Sequence, residues 1–207
     1  SPDVCCFSLV CREGGQIGTT PQHPNPFNPR NFARKLPMTN QEYDVVVVSG
    51  GPCGATAADD LARQGWSVLL LDRLGRIKPC GGAIPPRLIK DFEIPDHLLV
   101  AKARCARMIS PSDNKVDMHI QDGFVGMVNR EEFDEWLRTR AHAHGAHRQR
   151  ADFERITRDD DGMARVHFKP VDGETPVTQS VRARMIIGAD GAKSNVARQM
   201  IKGAEKT

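Results

Sequence analysis

The 207-residue chain has the length and composition of one ordinary soluble globular domain, with 39% apolar and 27% charged residues. Its 29 basic and 26 acidic residues leave a net charge of +3, which is too small to indicate a nucleic-acid partner. The longest apolar runs are far shorter than the roughly 20 residues of a membrane-spanning helix. The six cysteines form no C-x-x-C pair, so we interpret them as reduced thiols of a cytoplasmic protein.

Residues 1–40 differ from the rest of the chain. They carry six prolines and no sustained hydrophobic period, so they cannot bury enough apolar surface to offset the entropy of ordering. We therefore expect a disordered, proline-rich leader, followed by one domain over residues 41–207. Met38 is a candidate natural start, with a tag or a regulatory tail as the alternatives.

A strand–turn–helix–strand unit begins at Tyr43. The β-branched run 43–48 predicts a parallel strand that is buried on both faces. Residues 55–64 predict a helix that ends at Gly65, and residues 67–72 predict a second strand. Such a unit within 30 residues is typical of the start of a dinucleotide-binding fold.

The turn between the first strand and the helix is similar to the phosphate-binding pattern G-x-G-x-x-G. Gly51 and Gly54 occupy the second and third glycine positions, whereas Ser49 occupies the first. A serine with positive φ costs about 1–2 kcal/mol unless Gly50 absorbs the strain, so glycine at position 49 is predicted to bind the nucleotide more tightly. The first amide groups of the helix favour a pyrophosphate. A plain turn with spare glycines is the alternative.

An acidic residue ends the second predicted strand. Asp72 lies 18 residues after Gly54, where a carboxylate can accept hydrogen bonds from the hydroxyls of an adenosine ribose. We include the adjacent Arg73 among the candidate cofactor-binding residues. An ordinary solvated aspartate at a strand end is the alternative for Asp72.

A second glycine-containing turn, at residues 188–191, follows the predicted strand 181–189. Asp190 is a candidate to bind a flavin-side sugar or ribityl hydroxyl, and Gly191 allows the backbone to lie against a cofactor. A nicotinamide-only fold does not need this distant second contact, so the two turns together predict FAD. An ordinary β-turn is the alternative, because Asp-Gly often marks one.

The segment between the two turns predicts a β-rich insertion and one long helix. Residues 104–128 alternate in the manner of short strands, residues 130–144 form an amphipathic helical pattern, and residues 150–183 predict a hairpin or meander. The histidines near the helix end give no metal set, because helix positions two apart do not share a face. We therefore predict an α/β fold and no metal site.

Taken together, these motifs resemble the glutathione-reductase-type flavoproteins of the hydroxylase branch. Within that group, the chain is similar to the geranylgeranyl diphosphate and geranylgeranyl-bacteriochlorophyllide reductases over about residues 42–200. The most specific similarities are the Cys-Gly-Gly loop at residues 80–82 and the Phe-Val-Gly-Met-Val-x-Arg-x-x-Phe run at residues 124–133. Segments 78–85 and 111–113 add to the resemblance.

The resemblance implies a Rossmann-like FAD-binding domain over residues 41–207, with part of a substrate domain inserted at about residues 92–128. It also implies roughly as much sequence again beyond residue 207, so we expect a chain truncated at its C-terminus that lacks reductase activity by itself. The whole enzyme would use NADPH and FAD to reduce the double bonds of a geranylgeranyl chain to phytyl in (bacterio)chlorophyll biosynthesis.

The resemblance also implies partners. The substrate is geranylgeranyl diphosphate or a geranylgeranylated (bacterio)chlorophyll, and the sequence leaves both open. Peripheral contact with the photosynthetic membrane is compatible with a cytoplasmic protein. Two alternative functions remain, namely an FAD-dependent aromatic-ring monooxygenase of the same fold and an inactive flavoprotein fragment.

Two further site residues come from the resemblance. Cys80 is hypothesised to donate a proton or to position the substrate, with a small buried apolar residue as the alternative. Arg130 is implied to contact FAD near its pyrophosphate or ribityl chain. A surface ion pair with a neighbouring acidic residue is the alternative for Arg130.

Overall fold

The structure is a computed structural model that describes residues 41–73, 80, 82–120, 123–171 and 177–204. The predicted leader over residues 1–40 lies outside the described residues. The strands are β1 Glu42–Val48, β2 Val68–Asp72, β3 Ala83–Ile84, β4 Leu99–Ala103, β5 Cys105–Ile109, β6 Lys115–His119, β7 Val125–Val128, β8 His147–Arg158, β9 Ala164–Pro170 and β10 Gln179–Gly188. The helices are α1 Pro52–Arg63, α2 Pro86–Asp91, α3 Arg130–Ala143 and α4 Asn195–Met200, with a 3-10 turn at Asp96–Leu98.

Four parallel strands form the centre of the main sheet, in the order β8-β2-β1-β10. At the end of β1, Val48 is in register with Leu71 of β2 on one side and with Gly188 of β10 on the other. Because the carboxyl ends of parallel strands meet at one edge of a sheet, the turns that follow these three strands lie together.

The sheet closes into a ring because β8 pairs with two different strands. Its first residues, 147–150, run parallel to β2, and its later residues, 151–158, run antiparallel to β9. Strand β9 then pairs antiparallel with β10. The predicted hairpin is therefore confirmed, and its extension to β2 is an additional feature that the sequence pattern did not indicate.

Two apolar cores cover the two faces of the parallel strands. On one face Val45 and Val47 pack with α1 and α3, and on the other face Val46 and Val48 pack with Phe168 and its neighbours. The prediction that β1 is buried on both faces is therefore confirmed.

The predicted bounds of α1 are confirmed at one end only. Gly65 follows the helix with a φ of 86°, in the left-handed region expected for a terminating glycine. The helix begins at Pro52, three residues before the predicted Ala55. Proline favours the first helical position, which explains the earlier start.

The segment that includes the predicted insertion forms two small sheets apart from the ring. One contains β3, β7 and β4, and the other is the hairpin of β5 and β6. Every residue of β5 and β6 is exposed. The assignment of residues 92–128 to a substrate domain stays a prediction. No helix in the described part of the chain is long and apolar enough to cross a membrane.

A buried charge joins α1 to α3. Asp59 of α1 is 1% exposed, and its Oδ2 lies 3.0 Å from Nε of Arg140. Its other carboxylate oxygen contacts Nδ1 of His144, at the end of α3. Because a buried carboxylate needs such partners, this cluster fixes how the two helices pack behind the edge where the three turns meet.

Replacement of Asp59 by alanine is expected to lower the free energy of unfolding by about 3 kcal/mol, near the lower end for a broken buried ion pair, because Arg140 keeps some solvent contact. Urea unfolding of this chain measures the change. Asp60→Ala is the matched control, since Asp60 is exposed on the same helix, and it should stay within about 0.5 kcal/mol of wild type. Equal effects of the two substitutions would contradict a structural role for the cluster.

Candidate functional site

The two glycine-containing turns are neighbours in the folded chain. The N–H of Ser49 donates to the carbonyl of Leu71 at 2.8 Å, and the N–H of Ala189 donates to the carbonyl of Val48 at 2.9 Å. A Cβ placed on Gly54 would lie 3.0 Å from the Cβ of Ala189. The turns after β1 and β10 therefore touch on the same edge of the sheet, as one elongated ligand would require.

The turn after β1 carries backbone strain at its first residue. Ser49 has a φ of 85°, a region that costs a residue with a Cβ about 1–2 kcal/mol. Gly50 is not among the glycines with positive φ in the described chain. The suggestion that Gly50 absorbs the strain is therefore wrong, and the serine itself adopts the left-handed conformation.

The other two glycines of the turn differ in what they touch. A Cβ on Gly54 would lie 1.9 Å from the carbonyl oxygen of Ser49, so glycine is required for the helix to pack against the turn. A Cβ on Gly51 would meet no described protein atom within 4 Å. Packing within the described chain thus explains Gly54 but not Gly51, and the open space at Gly51 suits a phosphate that approaches the backbone.

The N-terminus of α1 has no capping side chain. Gly51 is the N-cap residue, Pro52 follows it, and the first turn contains no acidic residue. The free backbone N–H groups and the helix dipole make this end a favourable place for an anion. The residues present therefore fit the pyrophosphate of a dinucleotide.

Asp72 is buried at the end of β2, with 6% of its surface exposed, so the interpretation as a solvated aspartate is wrong. Its Oδ1 accepts a hydrogen bond from the N–H of Gly50 at 3.3 Å. Its buried Oδ2 accepts no hydrogen bond within the described chain, although Nε of Arg138 lies 3.3 Å away. A carboxylate has about four acceptor sites, so Asp72 keeps acceptor capacity for a ribose hydroxyl as donor.

Arg73 lies on the surface beside this site. Its Nε is 2.9 Å from Oδ1 of Asp152, and 72% of its side chain is exposed. In this conformation the guanidinium makes a surface ion pair of β2 with β8. A contact of Arg73 with a cofactor stays a prediction.

Asp190 accepts hydrogen bonds from the first residues of α4 in the described structure. Its Oδ2 accepts hydrogen bonds from the N–H groups of Asn195 at 2.7 Å and Val196 at 3.2 Å, and its Oδ1 accepts one from the hydroxyl of Ser194. Since a carboxylate has about four acceptor sites, these bonds fix the carboxylate and leave capacity for a hydroxyl donor. Gly191 has a φ of 86°, which favours glycine.

Cys80 and Arg130 lie next to each other. Cys80 is exposed, so the interpretation of a buried apolar residue is wrong. The Gly82 N–H and, second, the Arg130 side chain hydrogen bond to the sulfur and lower the pKa of the Cys80 thiol. Arg130 also makes two hydrogen bonds of 2.9 Å with Asp134, the ion pair that was the alternative for this residue.

Three charged residues near Asp72, namely Glu135, Arg138 and Arg148, were not predicted from the sequence. Arg138 donates to the carbonyl of Gly50 at 3.2 Å, Glu135 binds Arg138 at 3.0 Å, and Arg148 binds Glu135 at 2.6 and 2.8 Å. No local pattern connects residue 138 with a turn 88 residues earlier. Only the packing of α3 on α1 brings them together.

The chain is similar to an FAD-binding domain family and to proteins named geranylgeranyl diphosphate reductase. Residues 93–206 match the family described as FAD binding domain. The geranylgeranyl diphosphate reductase of Rhodobacter capsulatus is 58% identical over 155 residues, which is 75% of this chain and 39% of that protein. The chloroplastic geranylgeranyl diphosphate reductase of Arabidopsis thaliana is 35% identical over 181 residues, which is 83% of this chain and 39% of that protein. The chain thus spans about two fifths of the length of these relatives.

Solved structures support the fold. A geranylgeranyl bacteriochlorophyll reductase-like protein from Thermoplasma acidophilum has a TM-score of 0.65 at 24% identity, over 74% of this chain and 40% of that chain. A flavin-dependent brominase has a TM-score of 0.63 at 19% identity, over 77% of this chain and 40% of that chain. The predicted α/β fold of the FAD-dependent hydroxylase type is therefore confirmed.

Gly54→Ala is expected to destabilise the chain by about 1–3 kcal/mol, because the new methyl group overlaps the Ser49 carbonyl, and to abolish FAD binding. Gly51→Ala is the matched control for packing. It should cost less than about 1 kcal/mol as an N-cap change and should still weaken FAD binding, because the methyl group occupies the phosphate space. Urea unfolding and flavin-fluorescence titration measure both, and unchanged FAD affinity in Gly51→Ala would contradict the phosphate assignment.

Alkylation of Cys80 by iodoacetamide is expected to reach half its maximal rate at a lower pH than alkylation of an unperturbed thiol, because the pKa of Cys80 is lowered. The Gly82 N–H and the Arg130 guanidinium stabilise the thiolate, so reactivity persists to lower pH and falls as the thiolate is protonated. Arg130→Gln should shift the midpoint upward. Mass spectrometry separates the Cys80 peptide from those of the other five cysteines, and an unshifted midpoint in Arg130→Gln would refute the contact.

Proposed function

Because this chain belongs to the FAD binding domain family, we propose that it binds FAD along the edge where β2, β1 and β10 end. The observation that carries the proposal is the contact between the turn at Gly54 and the turn at Ala189. Each turn supplies a different kind of ligand group on the same edge of the sheet, so one elongated nucleotide can contact both.

The proposed contacts follow the order of the turns along the edge. The N-terminus of α1 at Gly51 and Gly54 holds the pyrophosphate, and the carboxylate of Asp72 at the end of β2 accepts from the adenosine ribose. Asp190 and Gly191 contact the flavin-side sugar. Carboxylates that are already fixed by hydrogen bonds within the chain need little reorganisation when a hydroxyl donor arrives.

Two arginines complete the proposed cofactor site. Arg130 is placed near the pyrophosphate or ribityl chain, where its ion pair with Asp134 fixes the guanidinium. Arg73 lies on the surface next to Asp72. When the cofactor binds, its guanidinium would leave the exposed carboxylate of Asp152 and contact the cofactor instead. An exposed ion pair of this kind contributes about 1 kcal/mol or less, so the exchange costs little.

We further propose that the activity is the reduction of geranylgeranyl double bonds to phytyl. Support comes from the 58% identity with a protein named geranylgeranyl diphosphate reductase. When bound, FAD would accept hydride from NADPH and would pass it to one alkene carbon, while a proton would add to the other carbon. The chain's own residues orient the cofactor and exclude water around it.

Cys80 is the proposed catalytic residue. Its exposed thiol lies beside Arg130, so it can hold a proton or position the alkene at the cofactor. The loop segment 74–79 and Gly81 lie outside the described residues. The proposal for Cys80 therefore depends on the thiol and its two hydrogen-bond donors alone.

The proposed substrates are geranylgeranyl diphosphate or a geranylgeranylated (bacterio)chlorophyll. Residues 92–128 are proposed as part of the substrate-binding domain. The proposed reaction belongs to (bacterio)chlorophyll biosynthesis, and the protein is proposed to contact the photosynthetic membrane peripherally. Reductase activity is proposed to require more than these 207 residues, in keeping with the two-fifths coverage of the relatives.

Two measurements test the proposal. Titration of this chain with FAD should show saturable quenching of flavin fluorescence that Gly54→Ala removes. The product of the complete coding sequence, given NADPH and geranylgeranyl diphosphate without oxygen, should release partly reduced prenyl products. Absence of FAD binding by the complete product would refute the site. NADPH oxidation that instead consumes oxygen stoichiometrically would identify a monooxygenase.

A further inference from the structure

We infer that Arg138 is a positioning residue that holds the phosphate-binding turn in its strained shape. It thereby compensates for the serine at the first glycine position of the turn. The inference rests on the proposed FAD site, because the turn it fixes is the one assigned to the pyrophosphate.

The backbone of Gly50 is held by a side chain on each side, through its N–H and through its carbonyl oxygen. Its N–H donates to Oδ1 of Asp72 at 3.3 Å, and its carbonyl oxygen accepts from a terminal nitrogen of Arg138 at 3.2 Å. Nε of Arg138 lies 3.3 Å from Oδ2 of Asp72, so the two clamping side chains also attract each other. The residue that follows Ser49 is thus fixed by an ion pair rather than by the turn alone.

The two clamping side chains leave no room at Gly50. A Cβ there would lie 2.8 Å from Cγ of Asp72 and 2.9 Å from Cδ of Arg138. Glycine at position 50 therefore serves the clamp and not a positive φ. The G-x-G-x-x-G pattern leaves this position open, so its glycine has a cause that the pattern does not contain.

Arg138 is itself held in place by two further charges. Glu135 accepts from Nε of Arg138 at 3.0 Å and makes two hydrogen bonds with Arg148. Arg148 lies 3.8 Å from Oδ2 of Asp72. Two arginines thus face two carboxylates. Only 12% of the Arg138 side chain is exposed, so solvent screens its contacts weakly.

The contacts of Arg138 and Asp72 with Gly50 offset the backbone strain at Ser49. Ser49 has a φ of 85°, and strained backbone persists only where its surroundings over-determine it. Without the clamp, Ser49 gains by returning to negative φ, and that movement displaces its carbonyl oxygen from beside Gly54. A glycine at position 49 has no such preference and does not need the clamp to the same degree.

A general packing role for Arg138 does not explain these contacts. Helices α1 and α3 are already joined by the ion pair of Asp59 with Arg140. Arg140 lies on the same helix as Arg138, and 18% of its side chain is exposed against 12% for Arg138. Arg140 donates to the carbonyl of Phe92 and not to the turn, which makes it a matched control.

The test compares four proteins, namely wild type, Arg138→Gln, Ser49→Gly and the double variant, with Arg140→Gln as the control. FAD affinity is measured by fluorescence titration. Arg138→Gln should weaken binding about tenfold with serine at position 49, the affinity equivalent of the strain, and by less than about threefold with glycine. Ser49→Gly alone should bind FAD more tightly than wild type, and Arg140→Gln should lower the urea midpoint without a comparable loss of affinity.

An equal loss from Arg138→Gln in both backgrounds would overturn the inference, and so would an equal loss from Arg140→Gln. If wild type itself bound no FAD, the proposed function would fail, and amide exchange of the turn in the same ligand-free proteins would decide the inference separately. Faster exchange at Gly50 in Arg138→Gln with serine, but not with glycine, would support it. The same exchange rates in both backgrounds would reject it.

Discussion

The parallel register of β2, β1 and β10 is the constraint on which the site depends. Pairing of Val48 with Leu71 and Gly188 brings the ends of three strands to one edge, although these residues are far apart in sequence. Hydrogen bonds in the sheet set the positions of the turns, and the two apolar cores pack against the two faces of its parallel strands. The pairing of the strands therefore brings the candidate ligand groups of the three turns to one edge.

Two buried carboxylates, Asp72 and Asp59, add ion pairs to this arrangement. Asp72 is buried beneath the first turn, and Asp59 is buried between α1 and α3. Each buried carboxylate is paired with arginine, as buried charges require. The pair of Asp72 with Arg138 lies at the turn after β1, and the pair of Asp59 with Arg140 joins α1 to α3. The backbone strain at Ser49 is therefore supported by contacts from a different part of the chain.

Sequence alone predicted the features that follow from local patterns. The valine-rich β1, the end of α1 at Gly65, the helix that starts at Arg130 and the α/β fold of the FAD-dependent hydroxylase type all follow from periodicity, turn chemistry and resemblance. The pairing of β8 with β2 and the contact of Arg138 with Gly50 depend on tertiary packing, which carries no local signal. The cofactor roles of the individual site residues stay predictions for a different reason. They depend on the atoms of the cofactor, which are not part of the chain.

Hydrogen–deuterium exchange of this chain with and without FAD tests the convergence of the turns most directly. The account predicts that FAD slows exchange at residues 49–54 and at residues 188–191 in parallel, with the same dependence on FAD concentration. Protection confined to one of the two segments, or spread over the ring without either segment, would contradict a single flavin nucleotide held by both.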